Sequence, residues 1–126
     1  MQHPIADHIT AVELTEIYDR PEPSQPFAKS AVIFGHGQLD RCPCGTGTSA
    51  AMAALHAKGE LPLHTEFTNE SIIGTRFTGK LVREVRVGDL VAVEPVVTGR
   101  AYITGIQQFV ADPKDPFHYG FRLDSA

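Results

Sequence analysis

The stretch RCPCGTGTSAAMAALHA, residues 41–57, concentrates the side chains of this sequence that could do chemistry. Cys42 and Cys44 flank Pro43, and a run of small residues leads into an alanine-rich segment. Four chemistries suit such a stretch: a metal clip, a redox pair, a phosphate cradle, or a reactive thiol at a helix N-terminus. A structural zinc site takes about four Cys, His or carboxylate ligands, with cysteines usually spaced C-x-x-C. Here there is one cysteine pair at a different spacing, and of His36, His56 and His64 as supplements, His56 falls toward the far end of the following helix. Redox pairs also use C-x-x-C, so that the second sulfur can reach the first, and a bridge across C-P-C would close a small strained ring. GTGTS has the look of a phosphate loop but lacks the lysine of G-x-x-x-x-G-K-[ST]. Its small residues still let a ligand approach the N–H groups of a helix N-terminus, which carry partial positive charge and suit a carboxylate as well as a phosphate. A thiol at that same terminus is favoured as thiolate. Cys44 beside a carboxylate nest would act on the carbon next to the carboxylate. In the competing reading both cysteines are small buried residues that pack a tight turn.

Several elements must hold this segment. ITAVELTEIY (9–18) alternates as a half-buried strand does, and DRPEPSQPF (19–27) reads as a loop because its prolines remove donors and fix φ. KSAVIFGHG (29–37) reads as a second strand closed by glycines, and GTSAAMAALHAKGEL as a helix with Gly59 as its left-handed cap. From residue 66 the sequence is rich in Val, Ile, Thr and Phe, with glycines at 74, 79, 88, 99 and 105 and hairpins expected at VGDL and VTGR. The tail, 111–126, is interrupted by prolines and reads as irregular. The sum is an α+β fold. Ala50, Ala51, Met52, Ala53, Ala54, Leu55 and Ala57 make the helix apolar on nearly every face, which predicts a central helix with strands wrapped around it.

With 126 residues, 42% of them hydrophobic and 21% charged, the chain suits one ordinary globular unit spanning 1–126. A net charge of -4 and a pI near 5.8 give no electrostatic footprint for nucleic acid or an anionic membrane. No apolar run is long enough to span a bilayer and MQHPIADHIT lacks the pattern of a signal peptide, so a cytoplasmic location is expected.

DRCPCGTGTSA (40–50) closely resembles the second active-site motif of the proline racemase family, which includes 4-hydroxyproline epimerases. The likeness continues through ALHAKGEL, ESIIGTRFTGKLV, VEPVVTGRAYITGI and FVADPKDPF, from about residue 29 to 121. The resemblance implies a diaminopimelate epimerase-like fold of short, mostly antiparallel strands around one buried helix. It also implies a cofactor-independent and metal-independent enzyme that racemises or epimerises proline or hydroxyproline with two cysteines on opposite faces of the α-carbon. Carried onto this sequence, Cys44 is one of that acid/base pair, and Asp40 with the backbone of Gly45 and Thr46 contacts the substrate. Cys42 stands where relatives often have serine.

Family members are about twice this length or more, with two similar domains and the active site between them. Their first cysteine lies in a Met-Cys-Gly-His type motif that this sequence does not contain. The resemblance therefore implies the C-terminal portion of such an enzyme, which self-associates or depends on the missing N-terminal half. The alternative is a non-catalytic remnant that binds small carboxylates or a partner chain.

Overall fold

The computed structural model describes residues 3–19 and 28–120. In chain order the elements are β1 (Leu14–Asp19), β2 (Ala28–Phe34), β3 (Gln38–Leu39), α1 (Gly45–Ala57), β4 (Phe67–Ser71), β5 (Arg76–Val87) and β6 (Leu90–Thr98). They form one mixed sheet in the order β1-β2-β4-β5-β6, with β3 paired to β2. The β2–β4 pairing is parallel and the others are antiparallel. Parallel neighbours cannot be joined by a tight turn; they need a crossover, and α1 supplies it. This requirement sets residues 40–44 between the β2–β3 hairpin and the first turn of the helix.

The expectation of an α+β fold with one prominent helix matches this architecture, but the helix is not enclosed by strands. Its buried residues, Gly47, Thr48, Ala51, Met52 and Leu55, recur at helical spacing and form a single stripe. That stripe lies on β5 and β6, while Ala50, Ala54 and Ala57 remain exposed. Alanine misleads here because it is a strong helix former that tolerates either environment, so an all-round apolar count does not report burial. The core under the helix consists of Ala28, Ala51, Met52, Leu55, Leu61, Phe67 and Leu81, joined by Leu63, Val93 and Val97. Gly79 on β5 leaves room for the end of the Met52 side chain. A Cβ there would stand 2.8 Å from Met52 Cε.

The helix ends in a Schellman motif. Gly59, at φ 75°, donates to His56 O at 2.8 Å, and Glu60 donates to Leu55 O at 2.9 Å. His56 closes the last turn by two contacts: Nδ1 lies 2.8 Å from Leu61 O and Nε2 lies 3.0 Å from Glu84 Oε1. Both partners only accept, so the imidazolium is the form that satisfies both. The Glu84 hydrogen bond, then the Leu61 carbonyl, accordingly raise the His56 pKa above its ordinary value. A raised histidine pKa contributes stability that is present below the unfolded-state value and is lost as pH rises through the folded-state value. His56→Gln should therefore lower the thermal midpoint more at about pH 5.5 than at about pH 8. Equal losses at both pH values would remove the imidazolium from the account.

Strand boundaries differ from the sequence reading at two places. The strand expected over 9–18 begins only at Leu14, because residues 3–9 close on themselves: Ile9 N donates to Ala6 O and Ile9 O accepts from His3 N. The hairpin expected at VGDL forms, with Val87 opposite Leu90 and Gly88 at φ 59°. The one expected at VTGR does not. The chain leaves β6 at Thr98 and passes Gly99, where a Cβ would meet Phe77 Cε1 at 2.5 Å, then runs to Asp112 without regular structure. In this stretch Tyr102, Ile103, Ile106, Phe109 and Val110 are exposed. Residues 113–119 turn around Asp112 and Asp115, whose carboxylates accept from Lys114 N and Phe117 N. Most of the proline-rich loop at 19–28 and the last six residues of the tail lie outside the described residues. No helix among the described residues is long and apolar enough to cross a membrane.

Candidate active site

The β2–β3 hairpin turns through Gly35 and Gly37, both at positive φ, and Asp40 N then donates to Val32 O at 3.0 Å. From there the chain enters α1 through Arg41, Cys42, Pro43 and Cys44, with Pro43 and Cys44 buried and Cys42 exposed. Cys44 is the N-cap of the helix. Its Sγ accepts from Gly47 N at 3.4 Å, the bond that a serine or threonine oxygen makes in the usual cap, and lies 3.2 Å from Thr46 Oγ1. Its backbone sits at φ 62°, ψ 123°, which an L-residue adopts at a cost of about 1–3 kcal/mol. Surrounding structure must hold it there.

Four donors of the first helical turn have no intrahelical acceptor. Cys44 N takes Cys42 Sγ and Gly47 N takes Cys44 Sγ, each at 3.4 Å, while Thr48 N makes the first intrahelical bond, to Cys44 O at 2.9 Å. Gly45 and Thr46 are exposed, and among the described residues their N–H groups have no acceptor. The carboxylate of Asp40, half-buried at the end of the hairpin, likewise makes no hydrogen bond within the described residues. So one short segment brings together a thiol, two free N–H donors and a carboxylate. The thiol can move a proton, the N–H pair can bind an anionic oxygen, and the carboxylate can receive an ammonium. Cys42 is not part of this set: its Sγ accepts from Cys44 N at 3.4 Å.

The support comes from residues that the sequence reading passed over. Thr75 Oγ1 donates to Arg41 O at 3.3 Å from the turn after β4. Asn69 on β4 is fully buried; its Nδ2 lies 3.0 Å from Thr48 Oγ1 and 3.4 Å from both Pro43 O and Glu16 Oε1. Thr48 Oγ1 also donates to Pro43 O at 3.2 Å. A signal for this lay in FTNES, where a polar Asn69 and Ser71 follow Phe67 at the strand period on an inward face. Gly47 admits Glu16: a Cβ there would stand 3.1 Å from Glu16 Oε1 and 2.9 Å from Val32 Cγ2.

Burial raises the Glu16 carboxyl above its ordinary pKa, and the nearby Ser30 hydroxyl and the Asn69 amide, whose Nδ2 donates to it, pull it partly back. A raised carboxyl pKa means the folded state binds the proton more tightly, so ionisation costs stability as pH rises from the unfolded-state value through the folded one. Glu16→Gln, which keeps the acceptor and discards the charge, should raise the urea midpoint at about pH 7 and leave it little changed at about pH 4. A lower midpoint at neutral pH would show that the charge is stabilising and reverse this reading.

His36 is exposed at the tip of the β2–β3 hairpin and His56 is at the opposite end of α1 from Cys44. Among the described residues no group of three or more His, Cys, Asp or Glu side chains is arranged to hold a metal ion.

The family model described as proline racemase matches residues 1–122. The chain belongs to the proline racemase family. It is 54% identical over 123 residues to a proline racemase of Clostridioides difficile, an alignment that covers 98% of this chain and 37% of that protein. It is 55% identical over 106 residues to a 4-hydroxyproline 2-epimerase of Streptosporangium roseum, covering 84% of this chain and 32% of that one. Among solved structures it resembles a hydroxyproline epimerase from Agrobacterium vitis with bound trans-4-OH-L-proline, at a TM-score of 0.77 and 36% identity over 98% of this chain and 35% of the other. This proline racemase family chain thus spans little more than a third of the length of the relatives it matches.

Proposed function

We propose that this chain is the C-terminal portion of a cofactor-independent racemase or epimerase of proline or 4-hydroxyproline, and that it contributes Cys44 to proton transfer at the α-carbon. The observation that carries this reading is the capped thiol: Cys44 Sγ faces the Gly47 N–H, one residue from the unpaired N–H groups of Gly45 and Thr46. The thiolate takes the α-proton, the C–H electron pair moves into the substrate carboxylate, and the resulting dianion rests on the two N–H donors. Asp40 receives the substrate ammonium and so turns the α-hydrogen toward sulfur. A second thiol then delivers a proton from the opposite face, which inverts the centre.

That second thiol comes from the rest of the full-length protein, which also covers the exposed alanines of α1 to complete a diaminopimelate epimerase-like fold. Within this sequence the one other cysteine is Cys42, two residues from Cys44 in the same loop. The same fact favours a second reading for the isolated chain: without an opposing thiol it binds small carboxylates or a partner and does not turn over.

The test is incubation with L-proline or trans-4-hydroxy-L-proline in deuterated water. The full-length protein should invert the α-carbon with deuterium uptake, and the 126-residue chain alone should not. Retention of the α-hydrogen by the full-length protein with both substrates would refute the proposal. Turnover by the isolated chain that rises with its concentration would instead assign the second thiol to another copy.

A further inference from the structure

We infer that Asn69 is a positioning residue for Cys44: from β4 its carboxamide N–H groups clamp the Pro43 carbonyl and the Thr48 hydroxyl, and so hold the peptide that sets the Cys44 backbone. The inference rests on the proposed role of Cys44 and deepens it, because it names a residue far along the chain that governs where the thiol stands.

The peptide linking Pro43 to Cys44 is held from both sides. Its carbonyl accepts from Thr48 Oγ1 at 3.2 Å and from Asn69 Nδ2 at 3.4 Å, and its N–H donates to Cys42 Sγ at 3.4 Å. With that plane fixed, and Cys44 O engaged by Thr48 N at 2.9 Å, the positive φ of Cys44 cannot relax. The thiol is thereby kept under the Gly47 N–H.

Asn69 does not sit where packing alone would put an asparagine. It is fully buried, in register with Ala28 of β2 and Phe77 of β5, on a strand whose next inward residue, Phe67, belongs to the core. An apolar residue is the ordinary occupant of such a position. Of the three oxygens around Nδ2, the Pro43 carbonyl and the Glu16 carboxylate only accept, which assigns the donor end of the amide to this side. Oδ1 is buried and has no partner among the described residues. Buried polar atoms are nearly always paired, so the retained amide marks the donor half as the part in use.

The test uses the 126-residue chain carrying Cys42→Ser, whose hydroxyl can take the same N–H, so that Cys44 is the sole thiol. Alkylation by iodoacetamide is followed across pH with and without Asn69→Leu. The expected result is a profile displaced from the parent's, with alkylation near neutrality slowed roughly threefold or more, because a relaxed Cys44 loses the Gly47 N–H donor. Thr48→Val, which removes the shortest of the Asn69 contacts, should move the profile in the same direction by less, and it decides the matter if circular dichroism shows that Asn69→Leu does not fold. A folded Asn69→Leu chain with an unshifted profile, or an unshifted Thr48→Val chain where Asn69→Leu is unfolded, overturns the inference. Alkylation needs no substrate, so a shifted profile in a protein that leaves the α-hydrogen of proline untouched would sink the proposed function and leave the positioning intact.

Discussion

Cys44→Ser should abolish racemisation or epimerisation by the full-length protein while leaving the fold as stable as before. The two halves of this expectation come from one position. As N-cap, residue 44 accepts from Gly47 N, and serine is among the preferred residues for that task. The substituted helix therefore starts as well as the original, and the thermal midpoint should not fall. The chemistry is different, because a hydroxyl is a far weaker acid than a thiol and offers almost no anion near neutral pH. Positioned acid or base groups contribute about 10²–10⁴-fold to rate, and the loss should reach at least that range. Deuterium uptake into substrate, measured beside thermal unfolding of the same preparation, separates the two effects. Turnover within about tenfold of the unsubstituted protein would remove Cys44 from the reaction, whatever the midpoint shows.

The largest effect on stability should come from Met52, and it should depend on Gly79. Met52 is fully buried on the face of α1 that meets β5. Met52→Ala removes its contacts and leaves a void, at a cost of about 2–5 kcal/mol. That is a large share of the roughly 5–15 kcal/mol that holds an ordinary domain together. Gly79→Ala should also destabilise, by about 1–3 kcal/mol, because its Cβ would meet Met52 Cε at 2.8 Å and Sδ at 2.9 Å within a closed core. In the double variant the added methyl occupies space that the thioether has left. The combined loss should therefore be smaller than the sum of the single losses by at least about 0.5 kcal/mol. Recovery will be partial, since Val96 O lies 3.3 Å from the same Cβ. Denaturant titrations of the four proteins test this, and strict additivity would mean that helix and strand do not meet through this pair.

Local rules made much of this molecule readable. The Gly59 cap, the Gly88-Asp89 hairpin and the glycine-flanked turn at His36 follow from short-range conformational demands, and each occurs where its residues stand. The position of Cys44 at a helix N-terminus was readable for a similar reason, from the small residues that lead into an alanine-rich segment, whereas Gly45 and Thr46 were named only through the family resemblance. What local reading misjudged depended on neighbours distant in sequence. The alanines of α1 do not say which side meets the sheet, and Val97-Thr98-Gly99-Arg100 has the composition of a turn without a strand for the chain to turn back along. Glu16 and Thr75 carried no signal because each acts on a helix turn or a carbonyl far along the chain, and Asn69 showed only as a polar residue at an inward strand position, which does not say what it holds. Nothing in LTEIYD announces that Glu16 faces the helix while Ile17 faces outward, 61% exposed.

The parallel pairing of β2 with β4 also imposes an order of events in time. Pro43 and the amide that holds its carbonyl are 26 residues apart, and the pairing of β2 with β4 closes a loop that contains the whole crossover helix. Contacts of long sequence separation are late to form because the loop must close before they return any free energy. During synthesis Cys44 therefore emerges well before its support and passes through a period as an ordinary, unconstrained cysteine. Its capped, clamped geometry is therefore available only once residue 69 has been made and β4 has docked beside β2.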